Sequence, residues 1–342
     1  DRLSNEHVTV TFDGDGTVSV YDHEHDREVL DGPGNRLVLY RDQPREYDAW
    51  DIEEDVYAVG DELPAPESEV VESGPVRATV RQTRSFGDSE LVQDISVYRG
   101  SNRVEFRTFV DWQVDEKLLK AHFPVGVRST SATYETHFGY HERSTHDNTT
   151  WDRARYEEPG GQWVNVSEPG YGVALLNDCK YGVNVDGTDV SLTLLRAPNS
   201  PDPEADRGTH TFTYSLLPHV GGPVEAGINR AADELNAPSR AFPVSEPVGL
   251  SPVAVDPESV IVEAVKPAED RPDELILRLY ESDGRHTAAS LTFDFPVAGA
   301  TETNIVEDRN SDLPVADGRL DLEFDPFEIR TVALRLDSEG DE

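Results

Sequence analysis

The sequence predicts a mainly β protein in which a large set of antiparallel strands is followed by one helix and a smaller set of strands. Apolar and polar residues alternate with a period of two through many short runs, such as VTVTF at residues 8–12 and VEFRTFVDW at residues 104–112. Turn signals such as Asp186-Gly187 separate neighbouring runs. Apolar spacing typical of a helix is clearest at residues 224–235. These observations favour antiparallel sheets over a helical or α/β fold.

The first 220 residues are predicted to form a large antiparallel region. It opens with a hairpin that turns at Asp13–Gly16. Residues 42–55 are predicted to be a polar loop, and residues 62–73 to be a loop that has room for an edge strand. A dense meander begins at Gly74. The predicted strands after the hairpin are Leu37–Tyr40, Val76–Thr83, Leu91–Tyr98, Arg103–Trp112 and Leu118–Val127. Residues 136–155 contain three histidines and no apolar period, so they are predicted to be a long ordered loop.

Three further strands run in succession before an abrupt stop. They are predicted at Gly172–Leu176, Tyr181–Val185 and Val190–Leu195. The last strand stops at Arg196-Ala197-Pro198, and the loop at residues 199–208 that follows is rich in proline and acidic residues. A rigid acidic loop at the end of a buried strand is a common location for a functional site.

The remaining chain is predicted to contain a strand, the helix and a second β-domain. Thr209–Leu217 is the strand, Val224–Leu235 is the helix, and Pro238–Pro252 is a proline-rich connector. Regularly spaced strands then favour a small β-sandwich. They are Val260–Val265, Glu274–Tyr280, Ala288–Phe295, Leu320–Phe324 and Ile329–Leu336. The predicted domains are therefore residues 1–220, a helix and connector at 221–247, and a sandwich at 248–342.

The charge of the chain excludes some classes of partner. Acidic residues number 68 against 30 lysines and arginines, which gives a net charge of −38. A surface of this density repels nucleic acid and anionic lipid, so neither is expected as a partner. The aspartate-rich composition with only four lysines predicts a halophilic source. No apolar run approaches 18 residues and no signal peptide is visible, so a cytoplasmic location is predicted.

The residues that could carry catalysis form no complete set. His137, His141 and His146 lie near several carboxylates, but their spacing fits no ordinary zinc motif. We therefore interpret them as parts of a hydrogen-bonded loop and expect no metal in this chain. Close pairs of carboxylates are inevitable among 68 acids, so they are no evidence for a catalytic acid–base pair. No catalytic residue is predicted here.

Two stretches have the composition of a sugar site. A sugar needs an aromatic face for its C–H surface and planar polar groups for its hydroxyls. Trp50 and Asp51 provide both within one polar loop. Arg196 with Asp202 and Asp206 provides a second polar set, in which the arginine is expected to face the two acids. The alternative is a structural role: Trp50 caps a sheet edge and Arg196 pairs with a neighbouring carboxylate.

Several motifs in series resemble the C-terminal region of the glycoside hydrolase family 38 α-mannosidases. They include DAWDIE, KLLKAHFPV, GYGVALLNDCKYG, LLRAP and PDPEADRG, and the similarity extends from about Arg2 to Leu336. The resemblance implies a double-layered supersandwich akin to the galactose mutarotase fold. It also implies that the DAWDIE and LLRAP loops line one edge of the mannose pocket. Ser144 and Val183 depart from the family pattern, in which proline and tyrosine are expected.

The resemblance implies a divided enzyme. Members of this family are much longer, and they hold their zinc ion and nucleophilic aspartate in an N-terminal domain that is absent from this sequence. This chain is therefore expected to be an excised fragment, to bind no cofactor itself and to be inactive alone. Its expected partners are an α-mannoside and the N-terminal catalytic domain of the same polypeptide.

Three functions remain open. The first is the non-catalytic C-terminal part of a zinc-dependent retaining α-mannosidase. The second is an independent carbohydrate-binding domain or a mutarotase-like epimerase, which would need an acid and a base facing each other across a sugar groove. The third is a structural or oligomerisation domain. An upstream reading frame with metal-ligating aspartate and histidine residues would decide for the first.

We expect the folded state to depend on salt. The excess of 38 negative charges repels itself in dilute buffer, whereas molar salt shortens the screening length to about 3 Å. The melting temperature should therefore rise steeply from dilute buffer to molar chloride. Thermal melts followed by far-ultraviolet circular dichroism test this, and a melting temperature that is independent of salt would contradict it.

Overall fold

A computed structural model describes residues 2–245 and 252–336. Strands form 54% of the chain and helices 5%, so the predicted mainly β fold class is confirmed. The chain divides into two compact units. The first contains Asp1–Thr136 and His141–Ser239, and the second contains His137–Tyr140 and Arg240–Glu342.

The strands before residue 220 form three antiparallel sheets. In chain order they are β1 (Arg2–Ser4), β2 (Val8–Phe12), β3 (Val18–Asp22), β4 (Arg27–Glu28), β5 (Arg36–Arg41), β6 (Gly60–Glu62), β7 (Glu67–Ser73), β8 (Arg77–Phe86), β9 (Ser89–Tyr98), β10 (Val104–Trp112), β11 (Lys117–Pro124), β12 (Ser131–Thr136), β13 (Gly139–Ser144), β14 (Glu158–Pro159), β15 (Trp163–Glu168), β16 (Tyr171–Asn177), β17 (Gly182–Asp186), β18 (Asp189–Arg196) and β19 (Gly208–His219). The sheet orders are β1-β2-β3-β4, β13-β12-β15-β16-β19-β10-β9-β8-β7 and β14-β17-β18-β11-β5-β6.

The helical segments are few and short. A 3₁₀ segment spans Glu54–Ala58, helix α1 spans Thr150–Arg153, and helix α2 spans Ile228–Asn236. Thr149 and Asp152 form a capping box at the start of α1, so the two side chains satisfy backbone N–H groups reciprocally. The indole of Trp163 donates to Asn229 Oδ1 at 2.7 Å, which holds α2 against β15.

The nine-stranded and six-stranded sheets share one hydrophobic core. Phe106 on β10 packs edge-on against Phe123 of β11, with 5.6 Å between ring centroids, and stacks on Tyr214 of β19 at 5.1 Å. Within the same core, the Tyr214 hydroxyl donates to Asn35 Oδ1 at 2.6 Å, and Asn35 Nδ2 donates to Gln93 at 2.6 Å. The buried side chains of Tyr214, Asn35 and Gln93 therefore satisfy one another.

The six-stranded sheet is buried on both faces at its centre. Along β11, Leu119, Ala121 and Phe123 point into the shared core. Leu118, Lys120 and His122 alternate with them and point to the outer face, yet they are buried as well. The outer face is covered by the 3₁₀ segment, because Val56 and Tyr57 pack against Val38, Tyr40 and Leu118.

A buried ion pair holds the segments that cover this outer face, namely the 3₁₀ segment and the residues around Glu157. Lys120 is fully buried, and its ammonium group donates to Glu157 and to the Tyr57 hydroxyl, the latter at 3.3 Å. Thr193 Oγ1 donates to the second oxygen of Glu157 at 2.5 Å. Burial lowers the pKa of Lys120, and the carboxylate of Glu157 opposes that shift. A cation in this position is stable only because of these partners.

The second unit is a small β-sandwich, as predicted. Its strands are β20 (Val253–Asp256), β21 (Val260–Pro267), β22 (Glu274–Glu281), β23 (Thr287–Phe293), β24 (Val297–Thr303), β25 (Arg309–Leu313), β26 (Val315–Ala316), β27 (Arg319–Phe324) and β28 (Ile329–Leu336). Sheets β20-β23-β27-β26 and β21-β22-β28-β24-β25 enclose a core that includes Leu277, Leu291 and Val332. The carboxylate of Glu281 is buried and accepts from the N–H groups of Asp283, Gly284, Arg285 and Phe327.

The structure corrects several expected elements. Residues 136–155 were predicted as an irregular loop, but they contain β13 and α1. Helix α2 begins at Ile228 rather than Val224. The predicted connector at 238–252 has no regular structure through residue 245, and residues 246–251 of it lie outside the described residues.

Glu157→Gln should destabilise the chain strongly. The substitution keeps the shape of the side chain but leaves the buried Lys120 cation without a counter-charge, which costs about 3 kcal/mol or more of unfolding free energy. Asp115→Asn is the matched control, because Asp115 pairs with Arg207 where both side chains are more than a third exposed. The control should cost less than about 1 kcal/mol. Urea unfolding measures both variants. Equal losses of unfolding free energy would show that the buried Lys120–Glu157 pair contributes no more to stability than an exposed pair.

Candidate functional site

The two loops predicted to line a sugar site meet in the structure. Strands β5 and β18 both pair with β11, and Lys117 and Leu118 at its start lie opposite Arg41 and Arg196 respectively. The chain leaves β5 at Asp42 and leaves β18 after Arg196, so both loops start at the same end of the six-stranded sheet. Below, "the tryptophan loop" means residues 42–53 and "the proline loop" means residues 197–207.

Arg196 connects the two loops, but with a different partner from the predicted one. Its Nε donates to Asp42 Oδ2 at 2.5 Å, and its Nη2 donates to Asp42 Oδ1 at 3.3 Å. Nη2 also donates to the backbone carbonyl of Asp51. Asp42 is only 2% exposed, so this is a largely buried, bidentate ion pair. The expectation that Arg196 faces Asp202 and Asp206 is therefore wrong, because Asp42 is nearer and already ordered by the sheet.

Asp48 forms a second connection between the loops. Its Oδ2 accepts from the backbone N–H of Asn199 at 2.7 Å and from that of Ser200 at 2.9 Å. A carboxylate that accepts two N–H groups makes charge-assisted hydrogen bonds, which are stronger than neutral ones. Together with Arg196, Asp48 fixes the tryptophan loop against the start of the proline loop.

Trp50 is presented to solvent by this arrangement. Its indole is 73% exposed. The backbone N–H groups of Trp50 and Asp51 donate to the Tyr47 carbonyl at 2.8 and 2.9 Å, and Tyr47 itself has a φ of 57°. The tight turn therefore holds the large ring outward, which agrees poorly with a role in capping a sheet edge.

Asp202 and Asp206 lie further along the proline loop and are exposed. Asp202 Oδ1 accepts from the N–H of Glu204 at 3.0 Å, which is a local turn. Asp206 has a φ of 59°, and its carbonyl accepts from His210 Nε2 at 2.7 Å. Of the predicted residues, Arg196 contacts Asp51 through the backbone carbonyl of Asp51, and Trp50 precedes Asp51 in the same turn.

Sequence reasoning missed a cleft on the outer face of the six-stranded sheet. The cleft has a volume of about 300 Å³, and its lining includes Tyr40, His122, Tyr156, Asn184 and Asp189. His122 lies between Asp189, at 2.8 Å from Nδ1, and the Tyr40 hydroxyl, at 3.0 Å from Nε2. Burial raises the pKa of Tyr40, which keeps its phenol protonated. The available signal was the polar residues Lys120 and His122 within the buried part of β11.

No metal centre is found in the part of the chain that the structure describes, where no three histidine, cysteine or acidic side chains lie close enough to hold an ion. His141 stacks on Tyr134 with 6.2 Å between ring centroids, and His146 Nδ1 lies 3.7 Å from Asp152. Burial lowers the pKa of His141. Separately, no helix among the described residues is long and apolar enough to cross a bilayer.

Comparison with known families identifies the class of this chain as part of a glycosyl hydrolase. The model of the "glycosyl hydrolases family 38 C-terminal domain" matches residues 3–204, and that of the family 38 "C-terminal beta sandwich domain" matches residues 259–332. Because the first match alone covers more than half of the sequence, the chain belongs to glycosyl hydrolase family 38. It contains the C-terminal region of that family, as the sequence motifs predicted.

The relatives are α-mannosidases of greater length. The chain is 41% identical to α-mannosidase 2C1 of Homo sapiens over 315 residues, covering 89% of this chain and 30% of the relative. It is 34% identical to α-mannosidase G of Dictyostelium discoideum over 352 residues, covering 96% and 32%. The chain thus spans about a third of the length of these relatives.

The solved structures agree on the fold. An α-mannosidase from Enterococcus faecalis V583 superposes with a TM-score of 0.78 at 16% identity, over 98% of this chain and 42% of the other. A second family 38 protein from Enterococcus faecalis gives a TM-score of 0.76 at 19% identity, over 98% and 44%. At these identities the similarity shows that the two-unit β architecture is shared, and nothing about substrate.

Asp48→Ala should loosen both loops at once. The two N–H groups of the proline loop lose their acceptor, so the amide hydrogens of Asn199 and Ser200 should exchange about tenfold faster or more. Residues 47–53 should also lose protection. Asp202→Ala is the control, because Asp202 accepts only within its own loop. Hydrogen exchange read by mass spectrometry measures both variants, and an unchanged tryptophan loop in Asp48→Ala would contradict the connection.

Proposed function

We propose that this chain is the non-catalytic C-terminal portion of a zinc-dependent retaining α-mannosidase, in which it completes the sugar pocket and supports a catalytic domain outside this chain. The family membership and the α-mannosidase relatives support the reaction class. The zinc ion, held by residues of that other domain, supplies Lewis-acid chemistry at the sugar hydroxyls. The residues of this chain bind and orient.

The observation that carries the proposal is the fixed pair of loops with Trp50 exposed at 73%. An indole held outward by a hydrogen-bonded turn presents a flat apolar face, which suits the C–H surface of a pyranose. The carboxylates of Asp51, Asp202 and Asp206 provide acceptors for sugar hydroxyls. Arg196 acts as a positioning residue in this scheme, because Asp42 and the Asp51 carbonyl already occupy its guanidinium.

The cellular setting completes the proposal. We place the enzyme in the cytoplasm of an organism that grows at high salt. The net charge of −38 and the single cysteine of this stretch suit that setting, since the surface resists precipitation in brine and no disulfide within the chain is needed.

Trp50→Ala should reduce mannosidase activity in the longer polypeptide that joins this chain to its catalytic domain. If the ring contacts sugar, its loss costs about 1–3 kcal/mol of transition-state stabilisation, or roughly a 5- to 150-fold fall in kcat/KM. The melting temperature should not change, because the ring makes little contact with the fold. Hydrolysis of an aryl α-mannoside measures the effect.

Trp151→Ala is the matched control, since Trp151 is 80% exposed and lies on α1 rather than in the tryptophan loop. It should leave kcat/KM unchanged.

Arg196→Ala should lower both activity and melting temperature, because it leaves the buried carboxylate of Asp42 without its ion-pair partner. Normal kinetics in Trp50→Ala would remove the loop from the pocket. Turnover by the isolated chain would overturn the divided-enzyme proposal.

A further inference from the structure

The cleft on the outer face of the six-stranded sheet is a second polar site that the proposed function does not use. We propose that this sheet cleft binds a neutral pyranose. Its lining includes side chains of the sheet, among them Tyr40, His122, Asn184 and Asp189, which form its floor. Residues 144–147, 152, 153, 155 and 156 form its rim. At about 300 Å³ it has the size of a small-ligand pocket. None of the five residues predicted for the mannose pocket lines it.

The floor of the sheet cleft is organised in advance of any ligand. Asp189 can only accept a hydrogen bond as a carboxylate, so Nδ1 of His122 carries the hydrogen that joins them at 2.8 Å. The Tyr40 hydroxyl at 3.0 Å holds the other ring nitrogen. The His122 side chain is 8% exposed and cannot reorient freely, whereas that of Asp189 is 36% exposed. Asp189 Oδ1 is therefore an oriented acceptor at the surface of the cleft.

The charges around the sheet cleft favour a neutral ligand. Its three arginines all face carboxylates. The pairs are Arg36 with Glu62 at 3.2 Å, Arg153 with Glu54 at 4.0 Å, and Arg155 with Glu158 at 3.7 Å. His146 similarly faces Asp152 at 3.7 Å. Three further acids, Asp147, Asp186 and Asp189, line the cleft and would repel an anion such as phosphate.

A metal cation does not fit the sheet cleft either. No three histidine, cysteine or acidic side chains in the described part of the chain are grouped closely enough to ligate one. The cleft instead offers guanidinium and amide donors beside carboxylate acceptors. A ligand whose groups both donate and accept, without net charge, satisfies such a mixture, and hydroxyl groups have this property.

The aromatic side chains of the sheet cleft favour a cyclic sugar over an open-chain polyol. Tyr40, Tyr57 and Tyr156 all line the sheet cleft and contact one another edge-to-face, with centroid separations of 5.3 Å between the first two and 6.5 Å between the last two. These three phenols provide apolar ring surface next to the polar groups of the cleft. A pyranose presents the matching pair of surfaces, a C–H face and a hydroxyl edge.

Saturation-transfer NMR on this chain tests the proposal directly. The probes are the methyl α-pyranosides of mannose, glucose and galactose, with glucuronate and inorganic phosphate as charged comparators. At least one neutral pyranoside should receive saturation, and neither anion should displace it. Asp189→Ala should weaken its Kd about tenfold or more, since an oriented charged acceptor is lost. Circular dichroism checks that Asp189→Ala is folded. If that variant has a lowered melting temperature, Asp189→Asn is measured in its place.

Two controls separate this site from the mannose pocket. Asp325→Asn removes a carboxylate that also faces a histidine, His286 at 3.0 Å, but does not line the sheet cleft. It should bind like the unsubstituted chain. The second control is kinetic: the proposed function is judged by the kcat/KM of Trp50→Ala, and this proposal is judged by pyranoside binding to Asp189→Ala, so failure here and failure of the proposed function are distinguishable. The proposal is overturned if no neutral pyranoside binds, if Asp189→Ala binds normally, or if an anion competes.

Discussion

The buried ammonium of Lys120 is the constraint on which the outer face of the six-stranded sheet depends. A fully buried cation in the middle of a strand must find its counter-charge locally, because leaving it unpaired costs several kcal/mol. The carboxylate of Glu157 and the hydroxyl of Tyr57 accept hydrogen bonds from this ammonium group, and they lie on two different segments that cover the sheet. Tyr156 precedes Glu157, and its hydroxyl donates to the Ile52 carbonyl. This hydrogen bond fixes the end of the tryptophan loop as well. One strand residue thereby orders the cover, the sheet cleft and one of the two joined loops.

The two faces of the six-stranded sheet differ in what they contain: one contributes to an apolar core, and the other carries polar groups that are fixed by hydrogen bonds. The inner face contributes Leu119, Ala121 and Phe123 to a continuous apolar core, and alternation places every second residue away from it. Most sheets of this kind leave the second face to water. Here the second face is covered by irregular segments, so its polar residues are desolvated and fixed by hydrogen bonds. Preorganised groups of this kind bind ligands with a smaller entropic penalty.

Periodicity predicted the fold well because the alternation of apolar and polar residues identifies a strand, and its buried and exposed faces, from a few consecutive residues. The meander, the hairpin at Asp186–Asp189 and the terminal sandwich all follow from local alternation and turn residues. The partner of Arg196 could not be found this way, because Asp42 lies 154 residues earlier and is brought near only by the pairing of β5 and β18 with β11. The sheet cleft was missed for the same reason. That the two loops belong together came from the family resemblance, and the ligands assigned to Trp50, Asp202 and Asp206 remain predictions.

The bonds that Asp48 makes have an evolutionary consequence. Asp48 accepts only from main-chain N–H groups of Asn199 and Ser200, so it is indifferent to which side chains those positions carry. Every amino acid except proline can supply the same donor. Substitutions at these two positions therefore change the side chains of the proline loop without removing the N–H donors that Asp48 needs. New side chains can in this way appear on the proline loop while the hydrogen bonds that join the two loops are kept.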